Sequence, residues 1–137
     1  MHRVFVYGTL KRGQGNFGRL EAATFCGDAV TVAKYWMLDG GFPVVLELPE
    51  GEEGHPVKGE VFEVNDAELA DLDRLEGYRG EGRHNMYDRK IVEVQIEGGP
   101  VAQVFMYIGA GRWGDRRNAN HMKGPSAAGQ LEWFGRW

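Results

Sequence analysis

Two runs of strict alternation constrain the fold of this chain more than any other feature. From Tyr87 to Ile96, Val92, Val94 and Ile96 are set against Glu93 and Gln95, and Ala102, Val104, Met106 and Ile108 then mark one side of a second run. A period of two is the pattern of a half-buried strand. Between the runs, Gly98-Gly99-Pro100 turns the chain. Glycine recurs throughout, at 21 of 137 positions. Glycine this frequent and this scattered punctuates a sheet-rich fold with many turns.

Other segments follow suit. Val4-Phe5-Val6-Tyr7 reads as a short buried strand stopped by Gly8, followed by a loop over residues 9–16 and a marginal helical turn within residues 17–23. Residues 25–38 predict one or two strands, Gly40-Gly41-Phe42-Pro43 a turn into Val44-Val45-Leu46, residues 49–56 a solvated hairpin loop, and residues 57–64 another strand. One helix is clear. Asn65 is an N-cap with Glu68 three residues on, Leu69, Leu72 and Leu75 give an apolar side, and Gly77 closes the run. The expectation is a mixed α/β (α+β) chain, mostly β with one main helix, forming a single domain over residues 1–137. The tail from residue 111 shows no periodicity. It carries Trp113, Trp133, Phe134 and Trp137 beside Arg112, Arg116, Arg117 and Lys123.

Composition narrows the function. A net charge of −4 weighs against a dedicated nucleic-acid-binding domain, which usually carries a basic excess. The single cysteine, Cys26, excludes an intrachain disulfide and cysteine-based zinc clusters, and is read as a small hydrophobe within a strand. No apolar run approaches the roughly 18 residues of a membrane span, and Met1-His2-Arg3-Val4 lacks a signal peptide's apolar region. These points set the expectation of a cytoplasmic protein that does not engage a membrane. His2, His55, His84 and His121 have no metal-ligand spacing, Ser126 has no nucleophile elbow, and no phosphate loop or dinucleotide fingerprint is present. Nothing in the sequence sets an oligomeric state.

Three places hold residues suited to chemistry. At Tyr7-Gly8-Thr9-Leu10 a strand ends at glycine, where freed N–H groups can point into a pocket and hold a carboxylate or an oxyanion; the plainer reading is a strand ending in a turn. Glu76 lies within about 40° of Leu72 and about 20° of Leu69 on a helical wheel, so it shares the apolar side. It also sits at the negative end of the helix dipole. Both effects favour the protonated form and raise its pKa towards the range a general base needs. The alternative is a frayed helix end with its carboxylate in water. Asp71 and Asp73 are placed elsewhere on the wheel, which gives a paired-carboxylate site little support. Tyr87 and Arg89 share one strand face and Tyr107 lies on the face of Phe105; each either lines a cleft or is an ordinary structural residue.

Together these segments resemble the γ-glutamylcyclotransferase-like family, which includes γ-glutamylamine cyclotransferases and AIG2-like proteins. The similarity is carried by Val4-Phe5-Val6-Tyr7-Gly8-Thr9-Leu10-Lys11-Arg12-Gly13 with Asn16, by Gly41-Phe42-Pro43, by Leu72-Asp73-Arg74-Leu75-Glu76-Gly77-Tyr78, and by Tyr87-Asp88-Arg89 with the strand ending at Tyr107. It spans roughly residues 3–110, and the order of the motifs makes it specific. The resemblance implies a small barrel-like β-sheet and a cofactor-free, metal-free reaction on a small-molecule γ-glutamyl substrate. In that reaction the α-amine attacks its own γ-carbonyl, releasing 5-oxoproline and an amine or amino acid. It implies Glu76 as the catalytic residue, with Tyr7, Gly8, Thr9, Leu10, Tyr87 and Tyr107 binding substrate. Two competitors stand beside it: a non-catalytic ligand-binding or interaction protein that uses its aromatic and basic tail, and an enzyme acting on a different bond at the same site. The leaving group is left open, with Phe42, residues 78–86 and the tail arginines as its candidate determinants.

Overall fold

Five strands close on one another into a barrel, and a sixth and seventh stand apart as a hairpin. The computed structural model describes residues 1–8, 10–39, 42–110 and 123–133. Its strands are β1 (His2–Val6), β2 (Thr24–Thr31), β3 (Tyr35–Asp39), β4 (Pro43–Glu47), β5 (Lys58–Val64), β6 (Tyr87–Ile96) and β7 (Val101–Gly109). A short 3-10 turn covers Phe17–Leu20, and α1 covers Asp66–Glu76. Round the barrel the order is β1-β5-β2-β6-β7, while β3 and β4 form the separate sheet. All barrel pairings are antiparallel except β1 on β7, which is parallel and sets Val4 opposite Phe105 and Phe5 opposite Met106.

The alternating residues explain the closure. Phe5, Ala29, Val61, Val94, Val104 and Met106, drawn from all five barrel strands, pack into one buried cluster, the barrel interior. The opposite faces of β1 and β5 supply Val4, Val6, Phe62 and Val64 to a second cluster, which also takes Leu69 and Leu72 of α1. Both faces of β1 are therefore covered, so Val4-Phe5-Val6 reads as continuous apolar sequence rather than alternation. Leu69 and Leu72 are buried, and each contributes about 1.5–3 kcal/mol through that burial. The helix starts as expected, with Asn65 accepting from the Glu68 N–H at 2.8 Å and Glu68 accepting from the Asn65 N–H at 2.8 Å. In β2 the register shifts between Phe25 and Gly27, which places the half-buried Cys26 in a bulge against the barrel interior.

Two expectations need correction. Residues 49–56 do not close a hairpin, because β4 and β5 belong to different sheets and the segment crosses between them. The hairpin is β3–β4, with Asp39 opposite Pro43. The segment is also tied down, since Tyr35 and His55 exchange backbone hydrogen bonds. Trp133, counted in the aromatic tail that an interaction protein would use, is only 5% exposed and packs with Leu131 in the interior cluster. Leu131 bridges to Val57, which draws this stretch onto the barrel. Trp113, Phe134, Trp137, Arg112, Arg116 and Arg117 lie outside the described residues. No helix among the described residues is long and apolar enough to cross a membrane.

Candidate active site

Topology brings distant residues to one end of the barrel. Strand β1 ends just before Tyr7, the parallel β7 carries Tyr107 near its own end, and β6, antiparallel to β7, begins at Tyr87. A cavity of about 330 Å³ opens there, a size suited to a small molecule. Tyr7, Gly8, Leu10, Glu76, Tyr87 and Tyr107 all line it, and Thr9 lies outside the described residues. Asn16, Phe42, Pro43, Leu75 and Met86 complete much of the wall.

Glu76 reaches the cavity because α1 stops at that residue. Gly77 adopts φ 66°, the left-handed conformation that glycine alone enters without a Cβ penalty, and its N–H returns to the carbonyls of Arg74 and Asp73. The chain then loops back, with the Met86 N–H donating to the Gly77 carbonyl at 3.2 Å. Asn85 braces this loop: it accepts from the Arg79 N–H and donates to the Gly80 carbonyl and Asp88. Burial pushes the Glu76 carboxyl up to about 7, against a smaller lowering by the Arg19 guanidinium. The carboxylate is thus poised near neutrality, where proton transfer in either direction is cheap.

The tyrosines behave in the opposite sense. Burial is the largest cause raising Tyr7, Tyr87 and Tyr107, and the negative charge of Glu76 adds to each. All three therefore stay neutral and serve as hydrogen-bonding walls. The Tyr7 hydroxyl donates to the Tyr107 carbonyl at 2.6 Å, and the Tyr107 hydroxyl donates to Asp73 at 2.6 Å.

Gly8 has a more specific role than open access for a ligand. A Cβ there would stand 2.6 Å from the Pro43 Cγ, so the glycine lets the proline ring close the wall. That ring cannot swing aside. Gly8→Ala is expected to cost about 1–3 kcal/mol, as overpacked sites do, and to raise KM by displacing Pro43; thermal denaturation and steady-state kinetics check both. The loop after Gly8 is fixed by a buried charge: Glu60, 9% exposed, accepts from the Arg12 N–H at 2.8 Å and the Arg12 Nε at 3.1 Å. Lys11 donates to the Trp133 carbonyl at 2.6 Å.

Asp73 does not itself line the cavity and stands behind its wall, bonded to Tyr107. Three residues along a helix are neighbours on its surface, so the spacing to Glu76 carried the signal. Arg89, on the strand face shared with Tyr87, donates to Asp73 at 2.6 Å instead of lining the cavity. Asp71 pairs with Arg19 and Arg74.

Residues 4–127 match the family described as γ-glutamyl cyclotransferase, AIG2-like. The chain belongs to that family. It is similar to γ-glutamylaminecyclotransferase of Rattus norvegicus, at 36% identity over 117 residues, covering 78% of this chain and 77% of the relative. It is also similar to the γ-L-glutamyl-butirosin B γ-glutamyl cyclotransferase of Niallia circulans, 35% identical over 101 residues, 72% of this chain and 62% of that one. Among solved structures, the AIG2-like protein of Mus musculus superposes with a TM-score of 0.69 at 31% identity, covering 99% of this chain and 97% of the other. The AIG2-like family and these relatives indicate a γ-glutamyl cyclotransferase activity. The barrel with one main helix is the fold expected from the resemblance.

Proposed function

We propose that this protein converts a small γ-glutamyl compound into 5-oxoproline and a free amine or amino acid by intramolecular ring closure. The observation that carries the reading is Glu76: a carboxylate raised to about 7 by burial, in a cavity also lined by neutral tyrosines and the end of β1. The α-ammonium of a γ-glutamyl group has a pKa near 8 and must lose a proton before its nitrogen can attack. Glu76 accepts that proton. The nitrogen then bonds to the γ-carbonyl carbon and charge develops on the carbonyl oxygen. As the C–N bond to the leaving amine breaks, Glu76 returns its proton to that amine and the ring nitrogen releases its remaining extra proton to water. Gly8 and Leu10 line the cavity, and their backbone N–H groups would meet the substrate's carboxylate or its developing oxyanion. Nucleophile and electrophile belong to one molecule, so proximity supplies much of the rate and the chemistry calls for no added cofactor. The lone Cys26 supports a reducing, cytoplasmic setting.

The test is a 5-oxoproline assay over glutathione, γ-glutamyl amino acids, γ-glutamylamines and γ-glutamyl-ε-lysine. Release of 5-oxoproline in step with the free amine is the expected result. Release of glutamate would show hydrolysis of the same bond and overturn cyclisation.

A further inference from the structure

One half-buried network at the cavity wall has no part in the proton transfers just described. Asp73 lies one turn before Glu76 on α1, and its two carboxylate oxygens are divided between two partners. Oδ1 accepts from the Tyr107 hydroxyl at 2.6 Å, and Oδ2 accepts from Arg89 Nη1 at 2.6 Å. Asp73 and Arg89 keep only about a fifth of their side-chain surface exposed, 21% and 20%. The Arg89 guanidinium is itself held in place, over the Phe105 ring at 4.5 Å and the Tyr78 ring at 5.0 Å.

This arrangement sets a direction. A phenol has one proton and two lone pairs, an ionised carboxylate only accepts, and a guanidinium only donates. Arg89 could only donate to the Tyr107 oxygen and is committed to Asp73, while Asp73 can only take the Tyr107 proton. With that proton committed, the Tyr107 oxygen can only accept from any further group. Tyr7 is turned the same way, its proton given to the Tyr107 carbonyl. Tyr107 lines the cavity together with Glu76, and its oxygen, its own proton committed to Asp73, has lone pairs to offer there. Such a wall suits a cationic donor and repels an oxyanion.

We infer that Asp73, anchored by Arg89, is a positioning residue that fixes the Tyr107 hydroxyl as a hydrogen-bond acceptor for the substrate's α-ammonium group. The inference rests on the cyclotransferase reading above, since it assigns the end of the cavity at which that ammonium sits.

Asp73→Asn tests it with little change of shape. The new carbonyl oxygen stays with Arg89, so the amide nitrogen falls opposite Tyr107 and drives its hydroxyl proton towards the cavity. Losing an acceptor for a charged group should lower kcat/KM by roughly 10- to 100-fold. Tyr107→Phe should lose a similar amount. The double variant should be no worse than Tyr107→Phe, because Asp73 acts through that hydroxyl. Binding of a γ-glutamyl compound and of its desamino analogue, a glutaryl amide, supplies a readout that fold repair would not move. Wild type should prefer the ammonium-bearing ligand, and both single variants should narrow that preference. A kcat/KM unchanged in Asp73→Asn, losses that add in the double variant, or a Tyr107→Phe protein that keeps the full preference would each overturn the assignment. A wild type that releases no 5-oxoproline from any panel compound overturns the cyclotransferase reading, and this assignment with it.

Discussion

Glu76→Gln is expected to lower 5-oxoproline release by about two to four orders of magnitude, the range that one positioned general base contributes. The amide matches the carboxylate in size and can still hydrogen-bond, but it can neither take the ammonium proton nor hand it to the leaving amine. The loss should therefore fall on kcat, with KM changed far less. Wild-type kcat/KM should climb as pH rises through about 7, where Glu76 loses its proton. Steady-state rates from pH 5 to 9 on both proteins check this. A variant retaining wild-type turnover would remove Glu76 from the mechanism.

The same substitution should stabilise the fold, by an amount that grows as pH rises from about 4.5 to about 7 and then holds. The Glu76 carboxyl has an ordinary value of 4.5 in the unfolded chain and about 7 in the native state. Below 4.5 both states hold the proton, and the residue contributes nothing to pH dependence. Between the two values the unfolded chain gives up its proton while the native protein keeps it, so native stability falls as pH rises. Above about 7 both are ionised and the full penalty is present, at most roughly 3 kcal/mol and less to the extent that water reaches the carboxylate. Glu76→Gln never ionises and escapes it. Thermal denaturation should place the variant close to wild type at pH 5 and clearly above it at pH 8. Equal differences at the two pH values would show that Glu76 is not desolvated. A residue that costs stability in the state that works is what a functional site would show.

The sequence carried local patterns well and long-range geometry poorly. Asn65, Glu68 and Gly77 act through neighbours within one turn, so the bounds of α1 followed directly from residue types. The alternation of Val92, Val94, Ile96, Ala102, Val104 and Met106 named the interior face of β6 and β7, because side chains on a strand change sides at every step. Residues 49–56 misled because a polar, glycine-bearing stretch between two strands looks the same whether those strands pair or part. Trp133 misled because its burial depends on Leu131 bridging to Val57, 74 positions away in the chain. At the cavity, residue types pointed to Glu76 and the β1 turn. The Asp73–Arg89–Tyr107 network needed three elements in contact, and only the helical spacing of Asp73 from Glu76 hinted at it. Gly8 was read for its freedom, whereas its contact with Pro43 could be known only once β4 was placed.

The parallel seam between β1 and β7 also governs when the protein becomes able to act. Tyr7 leaves the first strand and Tyr107 sits on the last strand of the barrel, yet one hydrogen bond of 2.6 Å joins them across 100 positions of sequence. Contacts of such long span form late, since the chain must give up the entropy of a large loop before any of them is made. On a ribosome, α1 and its Glu76 are complete while the strand that walls in the substrate is still being synthesised. A nascent or truncated chain can therefore hold most of the secondary structure and no competent cavity. Turnover in this architecture reports closure of the whole ring of strands, which makes activity a stricter measure of correct folding than helix or sheet content.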